Sequence, residues 1–302
     1  MIDIGSNSTR MLVADVEDGR LGEVDRRTNV TRLARGVDLS GRLSSEAIEA
    51  VCDTVGGYVA RYEELGTAGP ATVIATSAVR DAENGSAFIA ELRERFALSP
   101  RILDGDEEAA LTYRGATSEE TPAEPTLVVD IGGGSTELVV GRNGGVGFHT
   151  SLQLGVVRHT ERYVSSDPPG AAELEALADD VRGLLDDELA AQSGAQADRG
   201  IAVAGTPTSL AAIDLELDPY DPERVHGHTV ALGEIQRMLS RLAAMPLTER
   251  TEVPGLHPDR APTIVAGTVI LVEVMRCFGL DEIRVSERDI LHGAALEAAE
   301  AP

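Results

Sequence analysis

The stretch Asp130-Ile131-Gly132-Gly133-Gly134-Ser135-Thr136-Glu137 separates two apolar runs, residues 126–129 and residues 138–140. Each run predicts a buried strand, so the stretch predicts the turn that joins them. Three successive glycines let the backbone bring its N–H groups close to a ligand, and Ser135 and Thr136 add hydroxyl donors. A turn with these donors suits a phosphate group.

Two carboxylates flank this turn. Asp130 stands at the end of the first predicted strand, and Glu137 stands at the start of the second. A phosphate beside carboxylates indicates a divalent cation such as Mg²⁺ between them, because the cation neutralises both. The alternative, on this stretch alone, is a glycine-rich hairpin with two solvated acids.

The start of the chain repeats the pattern. An apolar strand leads to Asp3, Ile4 and Gly5, and small polar residues and a second apolar strand follow. The small polar residues of this turn are Ser6, Asn7, Ser8 and Thr9. Asp130 lies 127 residues after Asp3, about the length of one small domain. The repeat predicts two related half-domains and a cleft with one phosphate loop on each wall.

Composition is that of a globular protein. The chain has 302 residues, of which 42% are apolar and 25% charged, so it has room for two domains. No apolar run approaches the length of a membrane span, so we expect no membrane partner. Because Asp3 already belongs to the predicted site, we expect no signal peptide and a cytoplasmic location. Cys52 and Cys277 are interpreted as reduced thiols.

The charge is strongly negative. The net charge is −25 and the chain contains no lysine, which excludes a P-loop lysine and a Schiff base. An acidic chain argues against nucleic-acid binding. Phosphate must therefore be held by arginine, backbone N–H groups, hydroxyls or metal. We expect an anion approach led by Arg80 and assisted by arginines of the balanced segment 1–36. These arginines are Arg26, Arg27, Arg32 and Arg35.

Strands and helices are grouped twice along the chain. This order predicts an α/β fold of two layered domains with a cleft between them. Residues 117–125 are rich in Glu, Pro, Ser and Thr and are interpreted as the linker. The predicted domains are residues 1–120 and 121–302, with a closing helix at about 288–302 that packs back on the first. His226-Gly227-His228 lacks a nearby cysteine or third histidine, so zinc is disfavoured.

Seven segments resemble the exopolyphosphatase and guanosine pentaphosphate phosphohydrolase family, in the same order along the chain. They are Asp3 to Ser8, Thr76 to Arg80, Gly105 to Ala109, Asp130 to Glu137, Gly155 to Arg158, Gly205-Thr206 and Arg260-Ala261. The resemblance, to the short form of the family, implies two ribonuclease-H-like domains of the actin-like, sugar-kinase-like superfamily. It implies an active site in the cleft between them.

The same resemblance implies roles for residues. Glu108 corresponds to the catalytic glutamate, while Asp130 and Glu137 correspond to acids that bind metal and help position water. The phosphate-binding residues of the first domain would be Asp3, Ser6, Asn7, Ser8 and Arg80. Those of the second domain would be Gly132, Gly133, Gly134, Ser135, Thr136, Gly205 and Thr206. The expected activity is Mg²⁺-dependent release of terminal phosphate from inorganic polyphosphate, and a homodimer is a possible assembly.

Alternatives and departures remain at this point. The substrate could instead be guanosine pentaphosphate, although few aromatic residues are present to stack on a base. An ATP-dependent kinase would need an adenine pocket near Gly205, and a non-catalytic phosphate sensor would not need all three acids. Pro262 and Leu291-His292-Gly293 depart from the family pattern, and Met1 stands only two residues before Asp3.

Overall fold

The computed structural model describes residues 1–67, 71–191 and 196–300 of the chain. The last two residues of the predicted closing helix, 301 and 302, lie outside the described residues. The strands are β1 (Ile2–Ile4), β2 (Ser8–Glu17), β3 (Arg20–Val30), β4 (Val73–Ala75), β5 (Arg101–Ile102), β6 (Thr126–Ile131), β7 (Thr136–Arg142), β8 (Gly145–Leu152), β9 (Arg199–Val203), β10 (Thr229–Ala231) and β11 (Glu282–Val285).

The helices alternate with these strands in both halves of the chain. They are α1 (Val37–Ser40), α2 (Ser45–Glu64), α3 (Ser77–Asp81), α4 (Gly85–Phe96), α5 (Gly105–Ala116), α6 (Val156–Tyr163), α7 (Ala171–Ala191), α8 (Gly205–Asp214), α9 (Pro222–Val225), α10 (Leu232–Ala243), α11 (Leu247–Arg250), α12 (Ile264–Cys277) and α13 (Ile290–Glu300). A 3₁₀ turn covers Pro258–Arg260. No helix among these described residues is long and apolar enough to cross a membrane.

Two sheets repeat one arrangement. The first has the order β3-β2-β1-β4-β5, and the second has the order β10-β11-β9-β6-β7-β8. In each, three antiparallel strands are followed by a parallel neighbour: β4 beside β1 in the first sheet, and β9 beside β6 in the second. The predicted α/β fold with two sheet-containing units is confirmed.

Apolar residues of the central strands alternate between two faces, as the two-residue period of a strand requires. Ile2 and Ile4 pack with α2 and α4, whereas Ile74 faces the opposite side, with Leu103 and α13. In the second sheet, Leu127 joins the large core under α7 and α12, and Val128 faces α5. Both faces of each sheet are therefore covered by helices.

Helices α5 and α13 lie between the two sheets. Helix α5 packs on the second sheet through Ala109 and Tyr113, and α13 packs on the first sheet. The two helices also contact each other so closely that a Cβ at Gly115 would lie 1.8 Å from the carbonyl oxygen of Asp289. A Cβ at Gly293 would lie 1.9 Å from the carbonyl oxygen of Leu111. Only glycine fits at these two positions, so the helix crossing depends on them.

Candidate active site

A cavity of about 1510 Å³ is lined by residues of both halves. The turns that follow β1 and β6 both reach it. Its remaining wall comes from β3, the start of α5, the start of α8, and the segments around residues 217–223, 251–260 and 286–290. The cavity is large enough for a ligand of several phosphate groups.

The first hairpin places a cation opposite an acid. The turn is closed by a hydrogen bond from Gly5 N to the carbonyl oxygen of Ser8 at 3.0 Å, and Asp3 lies opposite Arg10 across the strands. Arg10 donates from Nε and Nη2 to Oδ2 of Asp3 at 2.9 and 2.6 Å and also forms an ion pair with Asp289. Oδ1 of Asp3 is buried and has no hydrogen-bond partner.

The second hairpin places two acids opposite each other. Gly132 N donates to the carbonyl oxygen of Ser135 at 2.9 Å, and Asp130 lies opposite Glu137. Ser151 Oγ donates to Oε1 of Glu137 at 2.8 Å. Among the described residues, no arginine or histidine forms an ion pair with either acid. Burial raises the pKa of both carboxyls, and the charge of Glu137 raises that of Asp130 further.

The two turns meet at a glycine. A Cβ at Gly133 would lie 2.7 Å from the backbone nitrogen of Asn7 and 2.9 Å from Cβ of Ser6. A side chain at this position would separate the two turns, so glycine is needed for their close approach. The glycine run therefore brings the two halves together, in addition to supplying backbone donors.

Glu108 enters the cavity from the first turn of α5. Asp104 and Glu107 form a capping box, in which Glu107 N donates to Oδ1 of Asp104 at 2.8 Å. This cap keeps Glu107 at the surface, while the Glu108 side chain is only 8% exposed. Arg80 Nη1 donates to Oε2 of Glu108 at 3.0 Å. Burial and the charge of Glu137 raise the pKa of Glu108 well above its ordinary value, and Arg80 opposes that rise.

Most of the sequence-predicted site residues line this one cavity. They are Asp3, Ser6, Asn7, Ser8, Glu108, Asp130, Gly132, Gly133, Ser135, Glu137, Gly205 and Thr206. Three others lie behind its wall. Arg80 contacts Glu108, the carbonyl oxygen of Gly134 accepts from Arg158, and Thr136 donates to the carbonyl oxygen of Leu154 at 2.7 Å.

Four arginines line the cavity, and only Arg26 among them belongs to the anion approach expected from the sequence. They are Arg10, Arg26, Arg260 and Arg288. Arg260 Nη1 donates to the carbonyl oxygen of Gly205 at 2.6 Å and to Oγ1 of Thr208 at 3.1 Å. It forms no ion pair with any described acid, and burial lowers its pKa. A half-buried guanidinium without a carboxylate partner indicates an anionic ligand in the cavity.

The other arginines of the expected approach lie elsewhere. Arg27, Arg32 and Arg35 are not among the residues that line the cavity. Arg27 lies 3.3 Å from Asp25, and Arg32 lies 3.5 Å from Asp259. Arg26 does reach the cavity, but it is paired with Glu287 at 2.6 Å.

Comparison with known proteins identifies the family and the fold. A family model described as the Ppx/GppA phosphatase family matches residues 12–301. The chain belongs to the Ppx/GppA phosphatase family. It is 36% identical to Exopolyphosphatase 2 of Mycobacterium tuberculosis, over 99% of this chain and 97% of that protein.

Two further relatives of this Ppx/GppA chain are informative. A guanosine-5'-triphosphate,3'-diphosphate pyrophosphatase of Pseudoalteromonas translucida is 27% identical over 94% of this chain and 55% of that protein. The crystal structure of the Aquifex aeolicus Ppx/GppA family member superposes with a TM-score of 0.83 at 29% identity, covering 99% of this chain and 96% of that one. The predicted two-domain actin-like fold and the family resemblance are confirmed.

Two other groups of potential metal ligands already have partners within the chain. In the described part of the chain, the one compact group of three is Glu49, Cys52 and Glu91. Arg95 binds both carboxylates of this group, at 2.8 and 3.1 Å, so each already has a cationic partner. His226 and His228 each have a different carboxylate partner. His226 Nε2 lies 2.8 Å from Glu119, and His228 Nε2 lies 2.7 Å from Asp214.

Proposed function

We propose that this chain is an exopolyphosphatase, which hydrolyses the terminal phosphate of inorganic polyphosphate and releases orthophosphate. The observation that carries the proposal is the set of three buried acids, Glu108, Asp130 and Glu137, with raised pKa values, on the wall of a cavity that also presents phosphate-binding donors. The full-length similarity to an exopolyphosphatase supports the choice of substrate.

Asp130 and Glu137 are the proposed ligands of Mg²⁺ or another divalent cation. Two buried carboxylates without a cationic side chain between them are costly to fold, and a divalent cation compensates both. Mg²⁺ keeps most of its water and takes only one or two protein carboxylates beside substrate oxygens, so two acids suffice. When bound, the cation would neutralise negative charge on the reacting phosphoryl group.

Glu108 is the proposed general base. A glutamate at its ordinary pKa is a weak base, and burial beside Glu137 raises the affinity of this carboxylate for a proton. Its Oε2 is held by Arg80, which leaves Oε1 to take the proton of a water molecule. The water oxygen then bonds to the terminal phosphorus, and the phosphoanhydride bond to the rest of the chain breaks.

The substrate is held by donors from both halves. Backbone N–H groups of the turn at Gly132 and Gly133, the hydroxyls of Ser6 and Ser135, and the guanidiniums of Arg10 and Arg260 are the proposed phosphate contacts. Guanidinium groups match pairs of phosphate oxygens and stay charged, which a chain without lysine requires. Arg80 acts on the base in this proposal, since it does not line the cavity.

Guanosine pentaphosphate is the second candidate substrate. Tyr220 lines the cavity with 45% of its surface exposed, so an aromatic ring is available beside the phosphate-binding groups. Polyphosphate remains the first choice because the exopolyphosphatase relative is the more similar of the two and is matched over nearly its whole length. We also propose a cytoplasmic location, which the free thiols Cys52 and Cys277 support.

Phosphate release from three substrates tests the proposal. Short polyphosphate, long polyphosphate and guanosine pentaphosphate are each incubated with the protein and Mg²⁺, and orthophosphate is measured. We expect release from polyphosphate, stopped by EDTA and restored by Mg²⁺. Release from guanosine pentaphosphate alone would contradict the proposed substrate, and release from none of the three would contradict the proposed activity.

A further inference from the structure

Arg158 contacts both halves of the molecule without reaching the large cavity. It lies on α6, and its Nε donates to the carbonyl oxygen of Gly134 at 2.9 Å. Its Nη1 forms an ion pair with Asp38, and its Nη2 lies 3.8 Å from Oδ2 of Asp81. The side chain is 17% exposed. One guanidinium therefore contacts the turn of the second hairpin and two acids of the first half.

Asp81 continues this contact toward Glu108. Its Oδ1 lies 3.5 Å from Nε of Arg80, and Nη1 of Arg80 lies 3.0 Å from Oε2 of Glu108. Four groups of alternating charge thus run from Arg158 through Asp81 and Arg80 to Glu108. Asp81 and Arg80, in the middle of this series, each have an opposite charge on both sides. Displacement of one of them therefore changes the electrostatic interactions of its neighbour.

Helix α3, which carries Arg80 and Asp81, begins beside the glycine turn. A Cβ at Gly134 would lie 3.1 Å from both Oγ of Ser6 and Oγ of Ser77, the first residue of α3. Gly134 is thus in packing contact with the start of α3, while Arg158 binds its carbonyl oxygen from the other side. The position of α3 against the turn of the second hairpin therefore depends on how firmly Arg158 holds the peptide of Gly134.

We propose that Arg158 is a positioning residue for phosphate hydrolysis. It fixes the peptide of Gly134 directly, and it fixes the carboxylate of Glu108 through Asp81 and Arg80. The turn at residues 132–135 and the proposed base Glu108 therefore keep a constant distance and orientation across the cleft. The proposal rests on the proposed function, which supplies the reaction. A planar guanidinium with five donors can hold three separate acceptors at once, whereas a lysine ammonium cannot reach all three.

Steady-state kinetics of Arg158→Met test this role. Misplacing a base by about 1 Å can cost on the order of 10²-fold in rate, so we expect kcat on polyphosphate to fall about 10- to 100-fold. KM should stay within about 3-fold, because Arg10, Arg260 and the other phosphate contacts remain. Arg158→Lys should restore only part of the rate. A raised KM with unchanged kcat would overturn the proposal.

Arg162→Met is the matched control. Arg162 lies one turn further along α6, is 52% exposed, and approaches Asp38 and Asp180 only to 4.0 and 3.9 Å. Its loss should change kcat by less than about 2-fold, as for an exposed ion pair. An equal loss of kcat in both variants would show that α6 needs its charges only for folding, which would also overturn the proposal.

Asp81→Asn tests the route from Arg158 to Glu108. The double variant combines Asp81→Asn with Arg158→Met. If Arg158 acts through Asp81, kcat of the double variant is no lower than kcat of Arg158→Met alone, because the two residues act as one unit. Losses that multiply would contradict the route.

Amide hydrogen exchange without substrate separates this proposal from the proposed function. Exchange at residues 132–136 and 77–81 should become faster in Arg158→Met and stay unchanged in Arg162→Met. Unchanged exchange in Arg158→Met would overturn the positioning role, whatever the substrate is. A wild-type protein that releases no phosphate would instead contradict the proposed function, and the exchange result would still decide on Arg158.

Discussion

The two hairpins at the cleft have the same backbone and opposite electrostatics. Each begins with Asp-Ile-Gly, and each is closed by the same hydrogen bond across the turn. Opposite Asp3 stands Arg10, and opposite Asp130, at the corresponding position, stands Glu137. The first pair is an ion pair, and the second is two like charges in a buried place. One repeated hairpin therefore presents a cation to the cavity, while the other requires a cation from outside.

This difference explains how an acidic chain can bind a polyanion. The cation of the first hairpin contacts phosphate directly in our proposal, and the acids of the second bind it through a metal. The local arrangement of charge decides what binds, whereas the net charge of −25 describes mostly the outer surface. Substitutions in the hairpins and in the groups around them test this contrast.

The largest effect on activity is expected for substitution of Glu108, which faces the acids of the second hairpin. Glu108→Gln should lower kcat on the order of 10²-fold or more, the scale of a lost general base, while the fold is kept. Glu107→Gln is the control, since Glu107 is a surface residue of the capping box. Phosphate release under saturating Mg²⁺ measures both. Near wild-type turnover of Glu108→Gln would mean that another acid is the base.

Glu137→Gln should have the next largest effect. We expect about 10- to 100-fold lower activity and a higher Mg²⁺ concentration at half-maximal rate, because one proposed ligand has lost its charge. Without Mg²⁺ the variant should be more stable than the wild type at pH values well above 4.5, the ordinary pKa of a glutamate, since the raised pKa of Glu137 means that its charged form destabilises the fold. Asp130→Asn should change activity, Mg²⁺ requirement and stability in the same directions. An unchanged Mg²⁺ titration would give these acids a purely structural role.

Substitutions of Arg10 and Arg260 should have similar effects on substrate binding and different effects on stability. Either substitution by Met should raise KM for polyphosphate by about 10-fold, the scale of one charge-assisted contact to phosphate. Arg10→Met should also lower the free energy of unfolding by about 3–5 kcal/mol, because Asp3 is left buried without a partner and Asp289 loses its arginine. Arg260→Met should not, since Arg260 has no described acid partner. Equal denaturation midpoints for the two variants would contradict this distinction.

The smallest expected effect is the pH dependence of stability from His292. Its ring is fully buried, with Nε2 2.9 Å from Oε1 of Glu23 and Nδ1 3.6 Å from Oδ1 of Asp289, and Arg26 opposes its charge. Burial lowers the pKa of His292, but its carboxylate partners outweigh burial and raise the pKa above 6.5, so the protonated ring stabilises the fold below that pH.

That stabilisation should be lost as the pH rises through the raised pKa. The difference in melting temperature between wild type and His292→Gln should therefore be larger at pH 6 than at pH 9. Melting curves of both proteins at the two pH values measure it. A difference that does not change with pH would mean that His292 is buried in its neutral form.

The two turns were predictable because their signals are local, and the start of α2 carries a local signal of the same kind. Three glycines after an apolar strand, and Ser44 before a periodic apolar run, determine conformation within a few residues, and Ser44 does cap α2. Arg10 could also have been predicted as a site residue. Aligning the two repeats places Arg10 where Glu137 stands, which indicates a side chain at the same edge of the cleft.

Long-range partners were not predictable. Arg10 binds Asp289, 279 residues further along the chain, and nothing near either residue indicates the other. Arg80 was expected at the cleft as a phosphate contact, and its position behind Glu108 depends on how α3 packs against α5. The role of Arg158 depends in the same way on contacts between halves, which no spacing within one segment encodes.

The crossing of α5 and α13 has a consequence during synthesis of the chain. Helix α13 covers the face of the first sheet formed by Leu12, Leu21 and Ile74, yet it is synthesised only after all strands of the second sheet. Domains that are contiguous in sequence can fold as soon as they emerge, but this first sheet must wait for residues 290–300. Until then its apolar face is exposed to chaperones and to neighbouring nascent chains.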